Sequence, residues 1–309
     1  MSDGARIRAL VRARWADVHA RAGTAARTLA AGCLAALERH APQLAAAQHD
    51  LARAAECEAA ELAVLDGGFV DVACGEGASE RSLAFYVDGP RGPVLSGAWR
   101  FAADELEHVA LRTHAGTRVL GLPGSFGIAG VAAAGHAITA NLLRPSVPGP
   151  GVLGSAALRL ALDQVDLAGA RASVERTPLL DGRAWLLADG RGLFGLEQLD
   201  AQTVLTRVSP KTGHVHANHC FDPALRQREG QPRSADSFRR MELASTLYVQ
   251  QRPSTAEQVL AFLAEVELAS FPHAPEQRAT LHFAHELASG RSWLRRGGGP
   301  IEIHERPSS

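Results

Sequence analysis

The sequence predicts an α+β protein in which helices cover antiparallel sheets. Three observations lead there. Roughly the first sixty residues carry helical periodicity, the texture changes to short strands and turns from Gly67 onward, and helical stretches return between and after the strands.

Residues Ala5 to Ala22 place Ile7, Leu10, Val11, Trp15 and Val18 on one face, rimmed by Arg6, Arg8, Arg12, Arg14 and Arg21. That is an amphipathic surface helix with a basic rim. A second helix is expected after Gly23, with Thr24 as N-cap, ending near His40. Pro42 suits a first helical position and opens a third, running to about Ala60. Glu61–Leu65 closes the helical section or begins the sheet. The chain then divides into a helical section over 1–65 and a sheet core over 66–309, read together as one domain.

The strands follow in order. Ser82–Val87 and Pro93–Trp99 flank a turn at Asp88–Gly92, and Gly75–Gly77 reads as an earlier turn. His108–Thr113 and Thr117–Leu122 form the next pair, then Gly135–Asn141. Ser155 to Val165 is helical. Ala184–Ala188 and Gly192–Glu197 make a hairpin about Asp189-Gly190. Thr203–Val208 alternates apolar and polar, Ser209–Gly213 has turn chemistry, and His214 opens a second strand of a hairpin. Phe221 to Arg233 is a loop. Helices are expected from Ser234 through Leu247 and from Thr255 to Leu268, and late strands at Arg278–Phe283, Trp293–Arg295 and Ile301–Ile303.

Composition excludes several classes. Net charge is −1 over 309 residues, with no basic block of the kind a phosphate backbone demands, so nucleic acid is not expected as a partner. Cys33, Cys57, Cys74 and Cys220 have no CxxC spacing and read as reduced cysteines of a cytoplasmic protein. No apolar run is long enough to span a bilayer, no signal peptide opens the chain, and no membrane partner is expected.

The stretch richest in chemistry is His214-Val-His-Ala-Asn-His-Cys220. On a strand, His214, His216 and Asn218 share one face and Val215, Ala217 and His219 the other. An amide held between imidazoles can donate to a developing oxyanion; read alone, these residues equally satisfy backbone groups near a turn. His214, His216, His219 and Cys220 are ligand types for zinc, but strand alternation keeps three of them from converging, and no metal site is expected.

Several of these stretches, in this order, resemble the acyl-coenzyme A:6-aminopenicillanic acid acyltransferases (isopenicillin N acyltransferase and relatives) of the N-terminal-nucleophile hydrolases. His216-Ala-Asn-His-Cys220 is similar to the family's His-Thr-Asn-His-Cys. Gly130-Val-Ala-Ala-Ala-Gly135 and Asn141-Leu-Leu143 stand where the family has Gly-x-Asn-Ser-x-Gly and Asn-x-Leu. Ala157–Leu162, Gly195-Leu-Glu197, Arg240-Met-Glu242 and Ala279-Thr-Leu281, with Arg295 and Gly297, fit in turn. The resemblance implies a four-layer αββα sandwich of two antiparallel sheets between helices. It also implies a chain that cuts itself before a nucleophile, whose freed α-amine then acts as base in attack on an amide or thioester. Acyl-coenzyme A or an acyl-carrier protein is an implied co-substrate; no cofactor is.

Ungapped counting from Gly92 and Trp99 puts the family's cysteine at Ser82, with Arg81 for Gly and Leu83 for Thr. Asn-Trp-Asp becomes Ala98-Trp99-Arg100, and Ala132 replaces an Asn. The expectation is an acyltransferase or amide, ester or thioester hydrolase acting on a small molecule, in specialised metabolism. Ser82 would attack and Asn218 would hold the oxyanion. Trp99, Arg100, His216 and Arg278 would bind substrate, the arginines by pairing with a carboxylate or phosphate. Two alternatives stand beside it: a degenerate relative that has lost self-processing and binds a small acyl or amino-acid ligand or catalyses without a terminal nucleophile, and Cys74 as nucleophile, although its apolar flanks suit a buried, inert thiol.

Overall fold

The computed structural model describes residues 3–74, 81–149, 151–199, 201–206, 208, 213–230, 235–270 and 278–305. The turn expected at Gly75–Gly77 lies outside them.

The chain opens with three helices, α1 (Asp3–Ala22), α2 (Ala25–His40) and α3 (Pro42–Ala55), then a 3-10 segment (Ala59–Leu65) and α4 (Gly67–Cys74). The apolar stripe of α1 is buried as the spacing requires: Ile7, Leu10, Val11 and Val18 join Leu62–Leu65, Phe69 and Val70 in one cluster. Two details differ from expectation. α3 stops at Ala55 because Glu56 turns left-handed (φ 53°), closing the helix as a C-cap. Gly67–Cys74, expected to begin the sheet, is helical: Asp66 Oδ1 accepts from Gly68 N at 2.7 Å, and Phe69 packs edge-on against Trp15.

Two antiparallel sheets follow. The six-stranded sheet has the order β10-β1-β2-β11-β12-β13, built from β1 (Ser82–Gly89), β2 (Gly92–Ala102), β10 (His214–His216), β11 (Arg278–Glu286), β12 (Ser292–Arg296) and β13 (Ile301–His304). The seven-stranded sheet runs in chain order: β3 (Ala110–His114), β4 (Thr117–Gly121), β5 (Ala129–Val131), β6 (Ala137–Leu143), β7 (Gly182–Ala188), β8 (Leu193–Leu199) and β9 (Gln202–Thr206). A short helix α5 (Ala103–Leu106) joins the sheets. The helices α6 (Gly154–Leu162) and α7 (Leu167–Arg176) cross between β6 and β7. α7 escaped the sequence reading although its N-cap is plain: Asp166 accepts from Gly169 N at 2.7 Å. Beyond β10, the expected loop holds the short helix α8 (Pro223–Arg226), and α9 (Ala235–Gln251) and α10 (Ala256–Ser270) precede β11.

Side-chain alternation sorts the layers. Ala84, Tyr86, Leu95, Trp99, Leu281 and Phe283 face Leu120, Ala129, Val131 and Leu186 across the gap between the sheets. Leu83, Phe85, Val87 and Ala98 point the other way, onto Val259, Phe262, Leu263 and Val266 of α10. Trp185, Leu187 and Ile138 meet α2, α3, α6 and α7 on the far face of the second sheet. Each large apolar side chain so buried contributes about 1.5–3 kcal/mol. The result is the four-layer αββα sandwich, with the N-terminal helices packed against it.

One strand pairing departs from the sequence reading. β9 and His214–His216 do not form a hairpin. β9 closes the edge of the seven-stranded sheet, whereas β10 pairs with β1 in the other sheet, Ala84 opposite His216 and Tyr86 opposite His214. A turn signature marks where a chain reverses; it does not say which sheet edge the next strand meets. β1 had an open side, and β10 fills it.

Candidate active site

β1 begins at Ser82, which pairs with Trp99 of β2. Continuing the β1–β10 register by two residues brings Asn218 opposite Ser82. The two side chains meet: Asn218 Nδ2 donates to Ser82 Oγ at 2.9 Å, and Ser82 N donates to Asn218 Oδ1 at 2.8 Å. The same Nδ2 also donates to Leu142 O at 3.0 Å, so the amide is held by β6 of the opposite sheet. Asn141 strengthens that bridge, donating to His216 O at 2.6 Å.

Arg240 of α9 fixes which end of the amide faces the serine. It is wholly buried, and its Nη2 donates to Asn218 Oδ1 at 2.6 Å and to Ser82 O at 3.4 Å. With Oδ1 claimed by a guanidinium, Nδ2 is left for Ser82 Oγ. Ser237, at the start of α9, holds the neighbouring backbone: its hydroxyl accepts from Asn218 N at 2.8 Å and lies 2.8 Å from His219 Nδ1. Neither Arg240 nor Ser237 is marked as a site residue by the sequence pattern, although Arg240 stands inside one of the motifs that carry the resemblance.

The carbonyl before the serine is also held. Arg81 O accepts from Arg100 N at 3.1 Å, extending the β1–β2 ladder by one residue, and the Arg81 guanidinium pairs with Asp236 at 3.2 Å. Beneath lies Glu267 of α10, 5 % exposed, whose carboxylate oxygens have no hydrogen-bond partner among the described residues. Burial pushes its pKa up, while Arg240, Arg100 and Arg81 pull against the rise.

The other expected site residues divide. Trp99 faces the inter-sheet gap beside Ser82, with its Nε1 donating to Ala140 O at 3.3 Å. Arg100 alternates with Trp99 and so lies on the strand face turned to α10, away from the Ser82 hydroxyl, yet it is among the residues that line the adjoining cavity. His216 is buried with Nε2 2.8 Å from Glu197 Oε1 and Nδ1 2.7 Å from Ala217 O, both ring nitrogens directed into protein. Burial raises the Glu197 carboxyl, but the contact with His216 and donors at Phe221 N and Asp222 N outweigh it, and its pKa falls below the usual value. Arg278 opens β11 opposite Ala102; its side chain lies outside the described residues. Cys74 ends α4, half-buried against the N-terminal cluster.

The histidines are engaged separately. His216 engages Glu197, and His219 stacks on Phe238 at 3.9 Å. Among the described residues no group of three His, Cys, Asp or Glu is placed to hold a metal ion. Burial, then the neighbouring His216, lowers His214 and His219 to about 4. Burial also drives the Cys220 thiol upward, with Glu229 adding to the rise.

A cavity of about 150 Å³ adjoins this region, lined by Val18, Leu65, Val70, Trp99, Leu122 and Ile128, with Arg14 and Glu105 at its side. The N-terminal helices form one wall. The Gly124–Gly127 loop forms another through Ser125 and Gly127. Its two end glycines have φ +87° and +104°, a backbone open to few other residues.

No protein-family model matches the chain, and a search of curated proteins finds no match. Among solved structures it is similar to a Caenorhabditis elegans ortholog of N-acylethanolamine-hydrolyzing acid amidase, at 12 % identity over 67 % of this chain and 93 % of that one, TM-score 0.44. It is also similar to penicillin V acylase from Agrobacterium tumefaciens, at 12 % identity over 72 % and 86 %, TM-score 0.38. A mutant of the conjugated bile acid hydrolase from Clostridium perfringens aligns at 9 % identity over 72 % and 92 %, TM-score 0.46. Overlaps this loose transfer neither substrate nor catalytic residues. No helix among the described residues is long and apolar enough to cross a membrane.

Proposed function

We propose that this protein is an acyltransferase or hydrolase of small amides, esters or thioesters, with Ser82 as nucleophile, and that it matures by cutting the Arg81–Ser82 bond. The observation that carries the reading is the Asn218 amide 2.9 Å from Ser82 Oγ, locked in that orientation by Arg240. In the self-cut, Ser82 Oγ bonds to the Arg81 carbonyl carbon, the C–N bond breaks, and the hydroxyl proton passes to the departing nitrogen. Water then hydrolyses the ester, leaving a carboxylate on Arg81 and a free amine on Ser82.

That α-amine, with a reference pKa near 8, takes the hydroxyl proton when Ser82 attacks a substrate carbonyl. Asn218 Nδ2 donates to the tetrahedral oxyanion, a contact of the kind worth about 10²–10³ in rate. The protonated amine returns its proton to the leaving group. Water, or an acceptor amine, then releases the acyl group. The adjoining cavity is small and of mixed lining, apolar side chains beside Arg14, Arg100 and Glu105, so the acyl portion it suits is short. Acyl-coenzyme A or an acyl-carrier protein would be the donor in the transferase version.

One observation favours a second reading, a relative without self-processing that binds a small acyl or amino-acid ligand. Ser82 has no exposed surface, and Arg81 is tied to both Arg100 and Asp236. Mass spectrometry of the purified protein decides between them. Two polypeptides divided at Arg81/Ser82, becoming one in Ser82→Ala, support the nucleophile. A wild-type chain that stays whole after prolonged incubation rules out the matured enzyme and leaves the second reading.

A further inference from the structure

A second, larger concavity lies on the other side of the Gly124–Gly127 loop. It is a groove of about 570 Å³ between α1, α3, β3 and β4, within the size range of small-molecule sites. Its floor is apolar: Ile7, Leu51, Val119 and Phe126. Its polar lining holds three arginines, Arg6, Arg112 and Arg159, and two histidines, His108 and His114, against one carboxylate, Asp3.

The partners of these side chains separate them. Arg159 is bound to Asp163 at 2.9 Å, and His108 lies 3.5 Å from Glu107. Among the described residues Arg112 makes one hydrogen bond, a long one, from Nη2 to Ser125 O at 3.4 Å. Arg6 makes no hydrogen bond or ion pair among the described residues, and its Nε is buried without a partner. Burial works against the charge on Arg112, with Asp3 the opposing influence. A half-buried guanidinium with five donors and one weak acceptor has lost hydration without recovering it in contacts. Two such groups over an apolar floor make a receptor for a negative charge carried on an apolar body.

We propose that this groove is a binding site for a small amphipathic anion, its phosphate or carboxylate head taken by Arg6 and Arg112 and its apolar portion lying on Ile7, Leu51 and Phe126. A polyanion does not fit, since Arg159 is held by Asp163, which leaves two arginines for a ligand, and the chain as a whole is weakly acidic. The site stands independently of the Ser82 chemistry. Ser125 lines both the groove and the inner cavity, so an occupant would rest against the loop that walls off the other space.

The test is calorimetric titration of the full chain near neutral pH with octyl phosphate and octanoate, with octanol and inorganic phosphate alongside. Saturable one-to-one binding of an anionic amphiphile is expected, with octanol and inorganic phosphate at least about tenfold weaker. Whichever of octyl phosphate and octanoate binds tighter identifies the head group. Arg112→Gln and Arg6→Gln should each weaken binding about tenfold or more. Arg6 lies on a surface helix, so its variant keeps the test valid if Arg112→Gln fails to fold. Absence of saturable binding by either anion, octanol binding as tightly, or an Arg6→Gln protein of unchanged affinity would overturn the proposal.

Discussion

Two of the buried polar networks in this molecule are built differently. At the junction of the N-terminal helices with the seven-stranded sheet, Arg183 lies between Asp181 (2.6 Å) and Asp66 (3.3 Å), and the carboxylates are capped by Gly154 N and Gly68 N. Charges and donors there close on each other. At the start of β1, Arg240 is spent on a neutral amide, Asn218 on a hydroxyl, and Glu267 has no hydrogen bond among the described residues. A network in which every group is answered acts as a fastener. One that aims a neutral donor at a hydroxyl and leaves a buried carboxylate without a hydrogen bond among the described residues carries a cost that suits a site kept for chemistry.

Substitutions can break that contrast. The largest effect on stability is expected from Arg183→Met, which strands two buried carboxylates; a loss of about 3–5 kcal/mol follows, or roughly 10 °C in Tm by calorimetry. Cleavage per folded molecule at Arg81–Ser82 should be unaltered. Asn218→Ala should do the reverse: about a hundredfold slower appearance of the two fragments by mass spectrometry, with stability lowered by only about 1–2 kcal/mol. Equal losses of both properties in both variants would erase the distinction.

Acid sharpens the same contrast by sign. His214 and His219, near Asn218, and His282 in β11 are lowered by burial to about 4, below their unfolded value near 6.5. Their contribution is complete above about pH 6.5 and is lost as pH falls toward 4, on the order of 1–2 kcal/mol each by pH 5. Burial pushes the Asp181 carboxyl up to about 6, against the pull of Arg183 and with Asp66 adding to the rise. Its protonation on acidification therefore favours the folded state. Hydrogen exchange at pH 5 against pH 7 should show loss of protection around β10 and β11, with residues near 181–183 changing least. The reverse order would contradict the assignment of these groups.

Much of this was readable beforehand because it rests on short-range pattern. The stripe Ile7, Leu10, Val11, Val18 and the Asp189-Gly190 turn are local signals, and the structure honours them. Ser82, Trp99 and Asn218 fall together because strand spacing alone puts Asn218 on the His216 face and Ser82 opposite Trp99. What could not be read is long-range choice. β10 pairs with β1 more than a hundred residues earlier, and no turn motif encodes that. Arg240 reaches Asn218 from a helix whose azimuth against β1 is set by packing of Ala244 and its neighbours. Arg100 has the opposite strand parity to Ser82, yet it reaches the lining of the adjoining cavity, which parity alone does not encode.

The hydrogen bond from Arg100 N to Arg81 O has a bearing on how maturation would be detected. A scission there turns that oxygen into part of a carboxylate still docked on a backbone donor, with the guanidinium of Arg81 still on Asp236. The N-terminal helices meanwhile remain clamped by Arg183 and by the buried stripe of α1. The severed pieces would travel as one particle, so size-exclusion chromatography would give the same elution before and after, and only a denaturing separation would resolve them.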